Sequence, residues 1–134
     1  MEILIGAVLA LSVGFSATLS GLDRDRAFYP TVMMVIASYY VLFALIGGSE
    51  QALATESVVT LAFMVASVAG FRNSLWLVVA ALAAHGFLDL VHGGLIVNPG
   101  VPEWWPPFCS AYDLVAAAYL GWLLLRSRVP VART

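Results

Sequence analysis

The stretch His85-Gly86-Phe87-Leu88-Asp89-Leu90-Val91-His92 sets two imidazoles and a carboxylate at spacings of four and three residues. A helix turns about 100° per residue, so Asp89 falls about 40° from His85 and His92 about 20° to the other side. All three share one face. Imidazole with carboxylate is the donor combination of zinc, iron and manganese centres. An acid three residues before a histidine on an inward helix face recurs in the metal sites of helical bundles. The spacing points to a divalent cation. The expected donors are Asp89, His92 and Asp113, with His85 or Glu56 completing the set or orienting a ligand from behind. His85 and His92 lie about 10.5 Å apart along the helix axis, so both reach one ion only if their side chains converge.

The elements that must position these residues follow from composition. Of 134 residues, 62 % are hydrophobic and 10 % charged, where soluble domains carry about a quarter charged residues. Mean hydropathy is +0.96. Fourteen charged side chains besides the two histidines cannot form the polar shell of a water-soluble fold, so the chain reads as one integral membrane domain over residues 1–134. Long apolar runs at Ile3–Ser20, Pro30–Gly47, Thr55–Phe71, Ser74–Val97 and Phe108–Leu125 predict an all-α bundle of five transmembrane helices. The third run is the shortest, and four spans with a re-entrant or interfacial segment is the alternative.

Arginine placement decides between them. With five spans, Arg24, Arg26, Arg72, Arg126, Arg128 and Arg133 all fall on one side, while the loops holding Glu50 and Glu103 contain no basic residue. Basic residues stay cytoplasmic, which predicts a multi-pass protein of the cell's inner (plasma) membrane, N-terminus outside and C-terminus inside. No basic segment precedes the first apolar run, so that run is expected to remain in the mature protein.

The same counts exclude several function classes. There is no lysine for a retinal-type Schiff base, and one cysteine, Cys109, precludes an internal disulfide or a Cys-rich metal site. A net charge of −2 makes nucleic acid no partner. Bis-histidine haem is disfavoured because axial ligands must face each other across the iron, and these histidines leave one side of one helix. The partners expected are the lipid bilayer and a lipid or small-molecule ligand, with a homo-oligomer left open.

Depth along the spans places Asp89, His92 and Asp113 in the outer half of the bundle, with His85 near the midplane. Glu56, Ser57, Thr60, Cys109, Ser110 and Tyr112 lie at comparable outer depths, and Tyr39 and Tyr40 near the middle of helix 2. The expectation is an outer-half polar cavity that binds metal. Two alternatives stand beside it. One is a proton or ion relay of the transporter kind, weakened by the apolar inner halves of helices 4 and 5. The other is a satisfied hydrogen-bond network that sets helix register in an accessory subunit. Ser12, Ser16 and Ser20 on helix 1, with Gly14 and Ala17 nearby, and Ala80, Ala81, Ala83 and Ala84 on helix 4 read as packing faces. Trp104 and Trp105 between prolines read as an interfacial anchor or a lid. Gly93-Gly94 would loosen the helix or admit a neighbour.

Taken with Asn98-Pro99, Pro102, Cys109, Ser110 and Asp113, the His85-x3-Asp89-x2-His92 pattern resembles a family of small bacterial integral-membrane proteins of unknown function. The likeness covers about the last 55 residues and departs at Gly93, where a second histidine is expected. It carries no activity with it. A weaker likeness is to intramembrane metal hydrolases of the alkaline-ceramidase type, which are similar in placing His, Asp and Ser around zinc within the membrane. That likeness implies a metal-activated water, Asp113 or Glu56 as general base, and an outward-facing lipid amide or ester as substrate.

Overall fold

A computed structural model describes residues 1–131; Arg133, counted above with the basic tail, lies outside them. Five α-helices follow one another: α1 (Glu2–Ser20), α2 (Phe28–Ile46), α3 (Glu50–Arg72), α4 (Trp76–Leu95) and α5 (Trp105–Leu125). Each is long and apolar enough to cross a membrane. The third segment is a full helix of 23 residues rather than a re-entrant piece. Apolar runs miss its start because Glu50 and Gln51 are polar, yet Ser49 accepts a hydrogen bond from the Ala52 amide at 3.2 Å and Glu50 sits in the first turn, where the helix dipole favours an acid. The fifth helix also starts early, at Trp105. Pro106 and Pro107 fit its first turn, which needs no amide donor.

In space the order is α1, α5, α4, α3, α2: α5 lies between α1 and α4, and α3 joins α2 to α4. Apolar side chains such as Leu4, Val58, Leu61, Val65, Phe87 and Leu90 face outward. In water such a surface would be untenable; against acyl chains it is the expected one. Arg24, Arg26, Arg72, Arg126 and Arg128 gather at one end of the bundle, Trp104 and Trp105 at the other. We call these the arginine end and the tryptophan end.

Small residues set how closely the helices approach. On α1 the buried stripe is Gly6, Ala10, Gly14 and Ala17, whereas Ser12, Ser16 and Ser20 are exposed. Gly14 and Ala17 pack as expected, and the serines beside them do not. The hydroxyls of Ser12 and Ser20 donate to the carbonyls of Val8 and Ser16, at 2.7 and 2.8 Å, so their polarity is satisfied within the helix. A Cβ at Gly6 would overlap the Phe108 carbonyl, and one at Gly100 the Phe43 carbonyl. Gly93 and Gly94 are different: a Cβ at either would meet open space, and α4 continues through both without a neighbour packed on them.

At the arginine end, the buried Arg26 guanidinium donates to the Phe71 carbonyl at 2.9 Å, the Gly70 carbonyl at 3.4 Å and the Pro130 carbonyl at 2.7 Å. The Leu75 amide donates to the Val131 carbonyl at 3.0 Å. One side chain thus ties the α1–α2 turn to the end of α3 and to the tail.

Gly6→Ala and Gly100→Ala should each cost about 1–3 kcal/mol, because backbone has to move to admit the methyl group. Gly93→Ala should stabilise by up to about 1 kcal/mol through helix propensity alone. Thermal unfolding in detergent, read by loss of helical circular dichroism, checks the opposite signs.

Candidate metal centre

The site is assembled mainly from α4 and α5, whose contact is close because Gly86 faces α5. A side chain there would press on Leu114, the Ser110 carbonyl and the Asp113 Cβ at 3.0–3.2 Å. With α5 so near, Asp113 reaches across to His85. Its Oδ2 lies 2.7 Å from His85 Nδ1. Asp89, one turn along α4 from His85, places Oδ2 at 3.5 Å from the same nitrogen, an ion-pair distance without hydrogen-bond geometry. Cys109, one turn before Asp113 on α5, donates its thiol to Asp113 Oδ2 at 3.9 Å. His85, Asp89, Cys109 and Asp113 can each offer one donor atom with all four atoms within 4.8 Å of one another.

All four are buried, with relative exposures of 0–2 %. Burial without compensation makes an ionised carboxylate expensive. Yet Asp89 Oδ2 and Asp113 Oδ1 have no hydrogen-bond partner among the described residues. The remaining oxygen of Asp89, Oδ1, accepts the Tyr40 hydroxyl at 2.6 Å. Phe63 meets the His85 ring edge to face at a centroid distance of 4.9 Å, and Val78, Leu82, Leu120 and Leu123 fill the core towards the arginine end. The polar group therefore sits in the half of the bundle nearer the tryptophan end, with an apolar plug behind it.

His92 belongs to a second cluster. Its Nε2 lies 2.8 Å from Glu56 Oε1 on α3, and the same oxygen accepts the Asn98 side-chain amide at 2.9 Å. Asn98 also donates to the Tyr40 carbonyl at 3.1 Å, and its own Oδ1 accepts the Gly100 amide at 3.2 Å. Of the residues the sequence singled out, His85, Asp89 and Asp113 meet in one group, while His92 and Glu56 pair with each other one layer closer to the tryptophan end. The reason is the axial rise: His92 stands opposite α3 and His85 opposite α5. Tyr40 links the layers. Its ring stacks on His92 at 4.1 Å and 24° while its hydroxyl serves Asp89.

Comparison of the chain with protein families, curated proteins and solved structures finds no match.

Cys109 and Asn98 are the participants to which sequence reasoning gave no ligand or cluster role. For Cys109 a signal existed: it precedes Asp113 by four residues, the spacing that also joins His85 to Asp89. Ser57, by contrast, is exposed and bonds the Leu53 carbonyl at 2.6 Å, and the Thr60 hydroxyl serves the Ala37 carbonyl at 2.8 Å. Ser110 and Tyr112 sit beside the group on α5 without joining it.

Tyr40→Phe leaves a buried Asp89 oxygen without its donor and should cost about 1–3 kcal/mol of stability. Tyr39→Phe, at a half-exposed position whose hydroxyl bonds nothing among the described residues, should leave stability within about 0.5 kcal/mol of wild type. Chemical unfolding of the two variants side by side measures the difference.

Proposed function

We propose that this is a membrane metalloprotein that holds one divalent cation, zinc by its donor chemistry, on His85, Asp89, Cys109 and Asp113, and that its reaction is hydrolysis of a lipid ester or amide. The observation that carries the reading is the pair of orphaned oxygens, Asp89 Oδ2 and Asp113 Oδ1, buried beside an imidazole and a thiol. A cation compensates both.

Donor type favours zinc. Magnesium and calcium require oxygen donors throughout, whereas nitrogen, sulfur and carboxylate oxygen together suit zinc. Bond lengths of about 2.0–2.3 Å put tetrahedral ligand atoms about 3.3–3.8 Å apart. Donors already within 4.8 Å of one another reach that spacing by small side-chain rotations. Bound zinc would supply Lewis acidity towards a carbonyl oxygen. The chain's own part is to hold the donors: Tyr40 fixes Asp89, and the Glu56–His92–Asn98 cluster fixes Tyr40. Glu56 is then a positioning residue. Asp113, the better placed of the two acids, keeps an oxygen available for a proton. A cation competes with protons for the thiol, imidazole and carboxylate donors, so affinity rises with pH.

The polar contacts running from Cys109 through Asp113, His85, Asp89 and Tyr40 to His92 and Glu56 favour a second reading as a proton relay. Its member nearest the arginine end is His85, against Phe63 and the apolar plug, so the contacts cross only part of the bundle. For orientation, the one-sided arginines support a plasma-membrane protein with the arginine end cytoplasmic and the tryptophan end outside.

Elemental analysis of purified protein should find zinc at about one per chain, tighter at pH 8 than at pH 6. Asp89→Asn and Asp113→Asn should lose it while remaining folded, and His92→Gln should keep it. Metal-free wild type, or zinc retained in both aspartate variants, overturns the reading. Separately, in a Cys109→Ala background, a membrane-impermeant thiol reagent applied to intact cells should label Glu103→Cys and spare Arg128→Cys; equal labelling would contradict the orientation.

A further inference from the structure

α1 ends with no basic residue in its last turn, and its C-cap Gly21 turns the chain through the left-handed region at φ 77°. A helix C-terminus carries partial negative charge and favours a cation. The side chain that returns to this end is instead an acid. Asp23 is 3 % exposed, and its Oδ2 accepts the Thr18 hydroxyl at 2.7 Å. Among the described residues its carboxylate receives no other hydrogen bond and forms no ion pair. Arg26, three residues on, has its guanidinium on the carbonyls of Gly70, Phe71 and Pro130.

Hydroxyls from three helices gather near this carboxylate. Gly14 leaves room for Tyr119 of α5 to lay its ring against α1, since a Cβ there would meet the ring at 2.9 Å. The Tyr119 hydroxyl thereby reaches Thr18 Oγ1, at 3.1 Å. Tyr29, at the start of α2, is 4 % exposed, and its hydroxyl has no hydrogen-bond partner among the described residues. The ionisable groups that act on it most strongly across space are Asp23 and then Tyr119. A water molecule would satisfy the Tyr29 hydroxyl but leave a buried carboxylate at the negative pole of a helix without a counter-charge. Only a cation answers both. The donors are oxygens throughout, and one carboxylate balances one positive charge. Calcium takes about six to eight oxygens and magnesium keeps several waters, whereas helix C-terminal ends are sodium donors in membrane transporters.

We infer that the arginine end binds a sodium ion between Asp23 and the hydroxyls of Thr18, Tyr29 and Tyr119. The site is separate from the proposed zinc centre: Tyr119 stands six residues beyond Asp113 on α5, about 9 Å further towards the arginine end. Its consequence is mechanical. α1 rests on α5 and α2 on α3, without α1 and α2 packing face to face, so an ion held jointly by α1, α2 and α5 closes the seam between the two helix pairs.

The full chain is purified in detergent and unfolded by heat in sodium, potassium or choline chloride at one pH and matched ionic strength, with loss of helical circular dichroism as the readout. Sodium at about a hundred times its dissociation constant should raise the midpoint saturably, by about 5 °C or more over choline, and potassium by about half of that or less. Tyr29→Phe separates a site from a merely unsatisfied hydroxyl. With no hydrogen bond to lose, this variant should match or exceed wild type in choline. It should nonetheless need about tenfold more sodium for half the shift, the effect of one lost ligand oxygen. Asp23→Asn, whose side-chain oxygen can still accept the Thr18 hydroxyl, should abolish the shift. Equal midpoints in sodium and choline, equal shifts in sodium and potassium, or a sodium titration that either variant leaves unchanged would overturn the inference.

Discussion

Two carboxylates converging on one imidazole nitrogen, inside a lipid-embedded bundle, form the constraint on which the architecture turns. Asp89 and Asp113 approach His85 Nδ1 from different helices at 3.5 and 2.7 Å. Removed from water, each acid costs several kcal/mol unless a neighbour supplies a proton, a hydrogen bond or a cation. The helices are arranged to make those neighbours available. Gly86 lets α5 come near enough for Asp113 to cross to α4. α2 delivers the Tyr40 hydroxyl to Asp89.

Around this layer the polar side chains divide rather than pool. Glu56, His92 and Asn98 hydrogen-bond one another closer to the tryptophan end, and Asn98 draws the α4–α5 connection down onto α2 through the Tyr40 carbonyl. A tyrosine ring separates the two clusters and touches both. Perturbing either cluster therefore reaches the other through the placement of Tyr40, and the two should show non-additive effects when altered together.

Helix number, the shared face of His85, Asp89 and His92 and the depth of Asp113 are all readable from spacing, since period and rise follow from backbone geometry. Which residues meet is less readable. Periodicity tells which way a side chain points, not which helix stands opposite it, and a few residues of axial rise are enough to hand His92 to Glu56 on α3 while His85 goes to Asp113 on α5. Cys109 reads as a lone thiol although its spacing to Asp113 repeats that of His85 to Asp89. The serines of α1 mislead for another reason: small size suggests contact, but a hydroxyl that bonds its own helix tolerates lipid, and the Gly6–Ala10–Gly14 stripe permits closer approach.

The Arg26 clasp alters how the membrane surface meets this protein. By sequence it is one of the six arginines on a single side of the bundle, yet its guanidinium is turned inward onto the carbonyls of Gly70, Phe71 and Pro130. Those carbonyls are the negative pole of α3 and the returning tail, so the arginine acts as an internal counter-pole to a helix dipole. Electrostatic anchoring to anionic lipid at that end then falls, among the described residues, to the exposed Arg24, Arg72, Arg126 and Arg128. Fewer charges hold the bundle at its headgroup layer than its composition advertises.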